Sequence, residues 1–176
     1  MAKKPSEKKS GDAAGDEQKA APFSPENGED TQLQPSMQIL AQYVKDLSFE
    51  NPFAPESLMH MEAQPEVEIG VNVTSTQRQE NEFEVTLQLE VKATNGDKTV
   101  FAVELEYGGV FTVENVPDEM MHPIIHIECP RMLFPFARHI LSESIRDGGF
   151  PPLMLDPIDF GIIYQQRMAE QQQTIS

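Results

Sequence analysis

Residues 82–107 read EFEVTLQLEVKATNGDKTVFAVELEY, and the fold turns on this stretch. Phe83, Val85, Leu87, Leu89 and Val91 alternate with Glu82, Glu84, Gln88 and Glu90, the period of a strand with one buried and one wet face. Phe101, Val103, Leu105 and Tyr107 alternate with Ala102, Glu104 and Glu106 in the same way. Between them, Asn95-Gly96 supplies two residues that tolerate positive φ, the signal of a tight hairpin. The pattern predicts two antiparallel strands, the second ending near Gly108-Gly109 or just after it.

The same period extends upstream. Val67, Ile69, Val71 and Val73 alternate with Glu66, Glu68 and Asn72. From Ser36, the residues Met37, Ile39, Ala41, Tyr43, Leu47 and Phe49 share one parity, interrupted by Leu40 and Val44, until Asn51–Pro55 forces a break. Four such strands in series predict an antiparallel sheet with one wet face. Downstream the period becomes helical. Pro117-Asp118-Glu119 opens one segment, in which Pro123 is tolerated only near the first turn or at a kink. Pro130 can start the next helix, where Leu133, Phe134, Ala137, Ile140, Leu141 and Ile145 recur on one face until Gly148-Gly149. Phe150–Pro157 reads as an extended linker, and Asp156-Pro157 as cap and first position of a last helix with Phe160, Ile163, Tyr164 and Met168 inward. Sheet first and helices second is an α+β order.

Residues 1–35 are polar and poor in large apolar side chains, so they read as a disordered N-terminal tail, and residues 171–176 as a flexible C-terminal end. The folded domain expected between them spans 36–170. One sheet face covered by about two helices is a thin core, and both sheet edges are open, which predicts oligomerisation.

The net charge is −16. Residues 1–34 carry five Lys against seven Asp and Glu, so most of the negative charge belongs to the folded part. Such a field repels a phosphate backbone and excludes nucleic acid as a partner, while a basic protein partner fits it. No apolar run approaches the roughly 18–20 residues that span a bilayer, and no apolar stretch follows Lys3, Lys4, Lys8 and Lys9 as in a signal peptide. No membrane insertion is expected. The single Cys129 fits a reducing cytoplasm.

No catalytic constellation, phosphate loop or dinucleotide fingerprint is present, so no enzymatic activity and no cofactor are expected. His122, His126 and Cys129 have a spacing that could suit a metal hydrolase, but Pro123 disturbs the register, and packing histidines with a buried thiol account for them better. Two features favour binding. Asp46, Glu50, Glu84, Glu90, Glu104 and Glu106 lie on the wet parity of three strands and could converge on one patch for a basic partner. Phe53, Leu58, Met59 and Met61 stand in the loop Asn51–Pro65, where no regular element needs them, and such side chains adapt to many apolar shapes.

Tyr43 to Glu50, Gln64-Pro65-Glu66-Val67, Tyr107-Gly108-Gly109-Val110-Phe111, Cys129-Pro130, Leu133 to Arg138, Phe150-Pro151 and Leu153 to Phe160 stand in an order and spacing that resembles the SecB family over about residues 37–170. The resemblance implies an α+β protomer in a homotetramer, a dimer of dimers, without enzymatic activity or cofactor. It implies an ATP-independent cytoplasmic chaperone that holds unfolded secretory precursor proteins in apolar grooves. It implies delivery to the SecA motor, whose basic C-terminal tail docks on the acidic sheet face. Family positions for that docking match Asp46, Glu50 and Glu104, and the client groove carries over to Leu58, Phe134 and Phe136, with Met59 and Met61 beside them. Two positions depart from the family: the loop before Gln64-Pro65 has no Trp, and Ala102 stands where Leu is common. The rival reading is an acidic oligomeric scaffold that binds one folded basic partner.

Overall fold

The computed structural model describes residues 34–59 and 64–174. Strand β1 (Ser36–Glu50) is followed by a short helix α1 (Glu56–Met59), then β2 (Glu66–Gln79), β3 (Glu82–Asn95) and β4 (Lys98–Glu114). The chain turns helical with α2 (Asp118–Pro123), a π-helical turn (Ile124–Glu128), α3 (Cys129–Asp147) and α4 (Phe160–Thr174). The four strands form one antiparallel sheet in the order β1-β4-β3-β2, so β1 and β2 are its edges. This is the expected α+β arrangement of a sheet followed by helices.

Alternation puts Val85, Leu87, Leu89 and Val91 of β3 and Val103, Leu105, Phe111 and Val113 of β4 under the helices, all essentially inaccessible to water. Leu133, Ala137, Leu141 and Ile145 recur along α3 and close on them from above. Each Val, Leu, Ile or Phe among them contributes about 1.5–3 kcal/mol by leaving water. The π-turn falls between Pro123 and Pro130, whose missing N–H groups have already opened the i→i−4 ladder. Gly149 ends the helical run with φ +92°.

Four boundaries differ from the expectations. The hairpin turn is Gly96-Asp97, with Asn95 paired to Lys98, and Gly96 alone takes positive φ there (+60°). A glycine first and an ordinary residue second suits a two-residue hairpin as well as two positive-φ residues do. Second, β4 runs through Gly108-Gly109 to Glu114. The Tyr43 ring lies over Gly108, 2.8 Å from where a Cβ would stand, and Leu133 lies equally close over Gly109. The glycines admit a large side chain on each face and do not end the strand. Third, α4 starts at Phe160 and not at Pro157, because the Asp159 carboxylate accepts the Gly161 and Ile162 N–H groups as the cap. It continues helical through the Gln-rich end to Thr174.

The fourth concerns β1. The register skips Leu40, between Ile39↔Phe111 and Ala41↔Val110, and again skips Lys45, between Val44↔Tyr107 and Asp46↔Glu106. Each extra residue flips the parity. Met37, Ile39, Leu47 and Phe49 therefore stay on the helix side, while Ala41 and Tyr43 turn to the outer face, against the single-parity expectation. The breaks at Leu40 and Val44 adjoin these two bulges.

Candidate functional site

The outer sheet face is built from three rows read across β1, β4, β3 and β2: Glu50, Ala102, Lys92 and Glu68; Ser48, Glu104, Glu90 and Gly70; Asp46, Glu106, Gln88 and Asn72. Glu104 thus stands directly opposite Glu90, and Asp46 directly opposite Glu106. Like charges in directly paired positions destabilise a sheet. Gly70 leaves the end of one row open, and Asp46, Glu90, Glu104, Glu106, Gln88 and Gly70 surround a shallow hollow of about 430 Å³. Of the three carboxylates expected to meet a partner, Asp46 and Glu104 line the hollow. Glu50 stands on the same face one row further along.

Glu84 also lies on this face but does another job. Its carboxylate accepts from the Tyr43 hydroxyl at 2.6 Å and from Lys45 Nζ at 3.0 Å. These bonds, the tyrosine's first, hold its pKa below the ordinary carboxylate value, and the Glu84 bond raises that of Tyr43. Lys45 comes from the second bulge, so the irregularity of β1 supplies the cation that neutralises Glu84.

The helix side of the sheet is not fully covered. Val67 and Ile69 of β2 pair with buried residues of β3 yet are 40% and 49% exposed. Val44 and Leu47 of β1 are similarly open. The segment after β1 presents Phe53 and, on the short helix α1, Leu58 and Met59, the last 72% exposed. Leu58 lies against bare backbone at Gly149, and Phe49 against Gly148. Beneath the loop, Phe49, Phe101 and Phe150 pack as a trio, with ring centroids 4.7 Å apart for Phe101–Phe150 and 6.0 Å for Phe49–Phe101. This aromatic floor was missed at the level of sequence; the signal for it is the Gly148-Gly149-Phe150 sequence, which removes side chains just where two strands present rings.

Among the residues expected to meet clients, Leu58, Met59 and Phe136 are exposed, and Met61 lies outside the described residues. Phe134 differs from them in burial. It is 6% exposed, edge-on to Phe160 and covered by the Arg138 guanidinium, because it shares the inward helical stripe with Leu133, Ala137 and Leu141. The possible metal triad is not assembled either. His122 and His126 pack with tilted rings, centroids 4.3 Å apart, beside Tyr164, whereas Cys129 turns into the core against Met37. Burial pushes the thiol up to about 12 and His126 down to about 4. Among the described residues no three such side chains converge on a metal position.

A carboxylate-lined sheet face on one side and loose apolar side chains on the other are the features of a binding protein. The comparisons make that class specific. The family described as Preprotein translocase subunit SecB matches residues 30–171. The "Protein-export protein SecB" of Rhodopseudomonas palustris (strain HaA2) is 56% identical over 139 residues, covering 79% of this chain and 88% of that protein. That of Afipia carboxidovorans is 56% identical over 137 residues, with 78% and 85% covered. In fold, the chain is similar to the Mycobacterium tuberculosis SecB-like chaperone solved in complex with a ChAD peptide from the HigA1 antitoxin, with TM-score 0.53 and 16% identity over 69% of this chain and 90% of that one. The chain belongs to the SecB family, a family of export chaperones and not of enzymes. No helix of the described residues is long and apolar enough to cross a membrane.

Proposed function

We propose that this protein holds unfolded secretory precursors in the cytoplasm without ATP and hands them to SecA. The observation that carries the reading is the pair of adjacent like-charge rows, Glu104 opposite Glu90 and Asp46 opposite Glu106, on the face that the helices leave bare. A sheet gains nothing in stability from that pattern, whereas a basic tail of SecA laid across it relieves the repulsion. Asp46, Glu50 and Glu104 are the docking carboxylates, joined by Glu90 and Glu106. Clients are held on the other side by Leu58, Met59 and Phe136, with Met61 kept as a candidate from the sequence alone, through many weak apolar contacts summed along one chain. The open edges β1 and β2 and the exposed Val44, Leu47, Val67 and Ile69 support a homotetramer built as a dimer of dimers.

Dilution of a denatured precursor, followed by light scattering with and without the protein, tests holding. Calorimetric titration with SecA tests delivery. Suppressed aggregation together with salt-sensitive SecA binding is expected. Binding of a folded basic partner with no effect on aggregation would establish the scaffold reading instead.

A further inference from the structure

One side chain of α4 reaches around the sheet edge. Arg167, two turns into the helix, donates from Nη1 to the Val73 carbonyl oxygen at 2.5 Å and from Nη2 to the Asn72 side-chain oxygen. Asn72 donates from Nδ2 to Gln88 Oε1 at 2.5 Å, and Gln88 donates from Nε2 to Glu106 Oε1 at 2.8 Å. The bonds follow the sheet register, since Asn72 pairs with Gln88 and Gln88 with Glu106, with Asp46 next in line. Every donor points the same way: guanidinium to amide, amide to amide, amide to carboxylate. A cation at one end demands an amide oxygen, and a carboxylate at the other demands an amide N–H, so each amide has one satisfactory orientation. Chains with charged ends and uniform direction strengthen one another's bonds.

We propose that this relay couples the acidic face to the seating of α4, so that a cationic group taking Glu106 loosens the hold of Arg167 on β2. Two positive charges, one on the partner and one on Arg167, compete through the relay for one carboxylate. The partner therefore favours an unclasped α4, and by linkage an unclasped α4 binds the partner more tightly. Release affects the end of the helix beyond Arg167, because the first turns stay anchored by Phe160 in the core and by Tyr164 against His122. It also bares the Val73 carbonyl at the sheet edge. The proposal rests on reading the acidic face as a docking surface for basic protein segments.

The test is hydrogen exchange on the full-length protein, with and without a deca-lysine peptide at low ionic strength, alongside calorimetric measurement of peptide affinity. In the wild type, bound peptide should speed exchange of amides 167–174 about fivefold or more, the lower range of ordinary coupling, while amides 85–91 of β3 stay unchanged. Gln88→Leu cuts the relay without altering charge. It keeps the Arg167 bonds to Val73 and Asn72 but separates them from Glu106, so its α4 exchange should ignore the peptide, and a response as large as in the wild type would overturn the relay. Peptide that binds the wild type and leaves α4 exchange untouched overturns the coupling but leaves docking standing. Peptide that does not bind at millimolar concentration removes the docking reading and the coupling with it. The wild-type arm needs no variant, so a folding defect in Gln88→Leu cannot shield the proposal.

Discussion

Glu84 and Glu90 stand six residues apart on β3, on the same face, and their surroundings differ in what lies across the neighbouring strand. Opposite Glu84 is Val110, which leaves the carboxylate free to take Tyr43 and Lys45 from β1. Opposite Glu90 is Glu104, with Gly70 on the other side. One acidic alternation thus makes two things. At the Glu84 end it is a strut that ties edge strand β1 to β3 across β4; at the Glu90 end it concentrates negative charge that nothing in the sheet requires. The strut stabilises the fold, and the concentration of charge is what the proposed docking of a basic partner would use. Experiments can break this division at several points.

The largest effect separates the two faces of one strand. Leu105 is 1% exposed beneath the helices, and its neighbour Glu104 is on the outer face. Leu105→Arg should lose about 3–5 kcal/mol, enough to unfold the domain, because it buries an unpaired charge. Glu104→Lys should keep the wild-type melting temperature within a few degrees. Equal loss in both variants, measured by thermal melting, would mean that the register across β4 is wrong.

Next comes the strut. A Cβ at Gly108 would stand 2.8 Å from the Tyr43 ring, so Gly108→Ala must displace it. We expect a loss of about 1–3 kcal/mol in urea unfolding, typical of overpacking. Gly70→Ala at the acidic end meets only ordinary contacts, the nearest being 3.5 Å to Glu90 Cβ, and should be nearly neutral. A Gly108→Ala protein as stable as the wild type would remove the strut from the account.

The two central strands and their faces were legible in the sequence because β3 and β4 alternate without interruption. β1 was not, because a bulge changes parity by one residue and leaves only an apparent irregularity, at Leu40 and again near Val44. The outward position of Asp46, Glu50 and Glu104 was readable by counting within each strand. Their pairing with Glu106 and Glu90 was not, since it needs the register between strands. The helical period itself puts Phe134 on the inward stripe, where it is 6% exposed, and only the family resemblance placed it in a client groove. Gly108-Gly109 misled because glycine marks close approach as often as it marks an end.

A smaller effect concerns the partner. Glu104→Lys should weaken SecA binding about tenfold, roughly 1.4 kcal/mol, while holding of an unfolded precursor is unchanged. Glu84→Gln, within the strut, should bind SecA like the wild type. Raised salt should weaken the wild-type interaction, since exposed charges are screened beyond about 8–10 Å. Calorimetry on both variants decides the matter. Glu84→Gln weakening SecA as strongly as Glu104→Lys would merge the two ends of the face into one undivided charge field.

The smallest effect is one of sign. Replacing Glu by Gln at positions 84 and 90 is the same chemical change on the same strand and face. At 84 it removes the acceptor of Tyr43 and Lys45 and should destabilise by on the order of 1 kcal/mol, the net worth of such a bond. At 90 it removes a like charge facing Glu104 and should be neutral or stabilising by about a few tenths of a kcal/mol. The Glu84 contribution also has a pH signature. Its folded pKa lies below the ordinary glutamate value of about 4.5, chiefly through the Tyr43 bond, so the unfolded chain takes up the proton first. The stability it contributes is therefore fully present above about pH 4.5 and is lost as pH falls through the folded pKa. The gap between wild type and Glu84→Gln in chemical unfolding should be constant near neutrality and close in acid. A gap that persists unchanged to the acid limit would mean that the carboxylate charge plays no part in the strut.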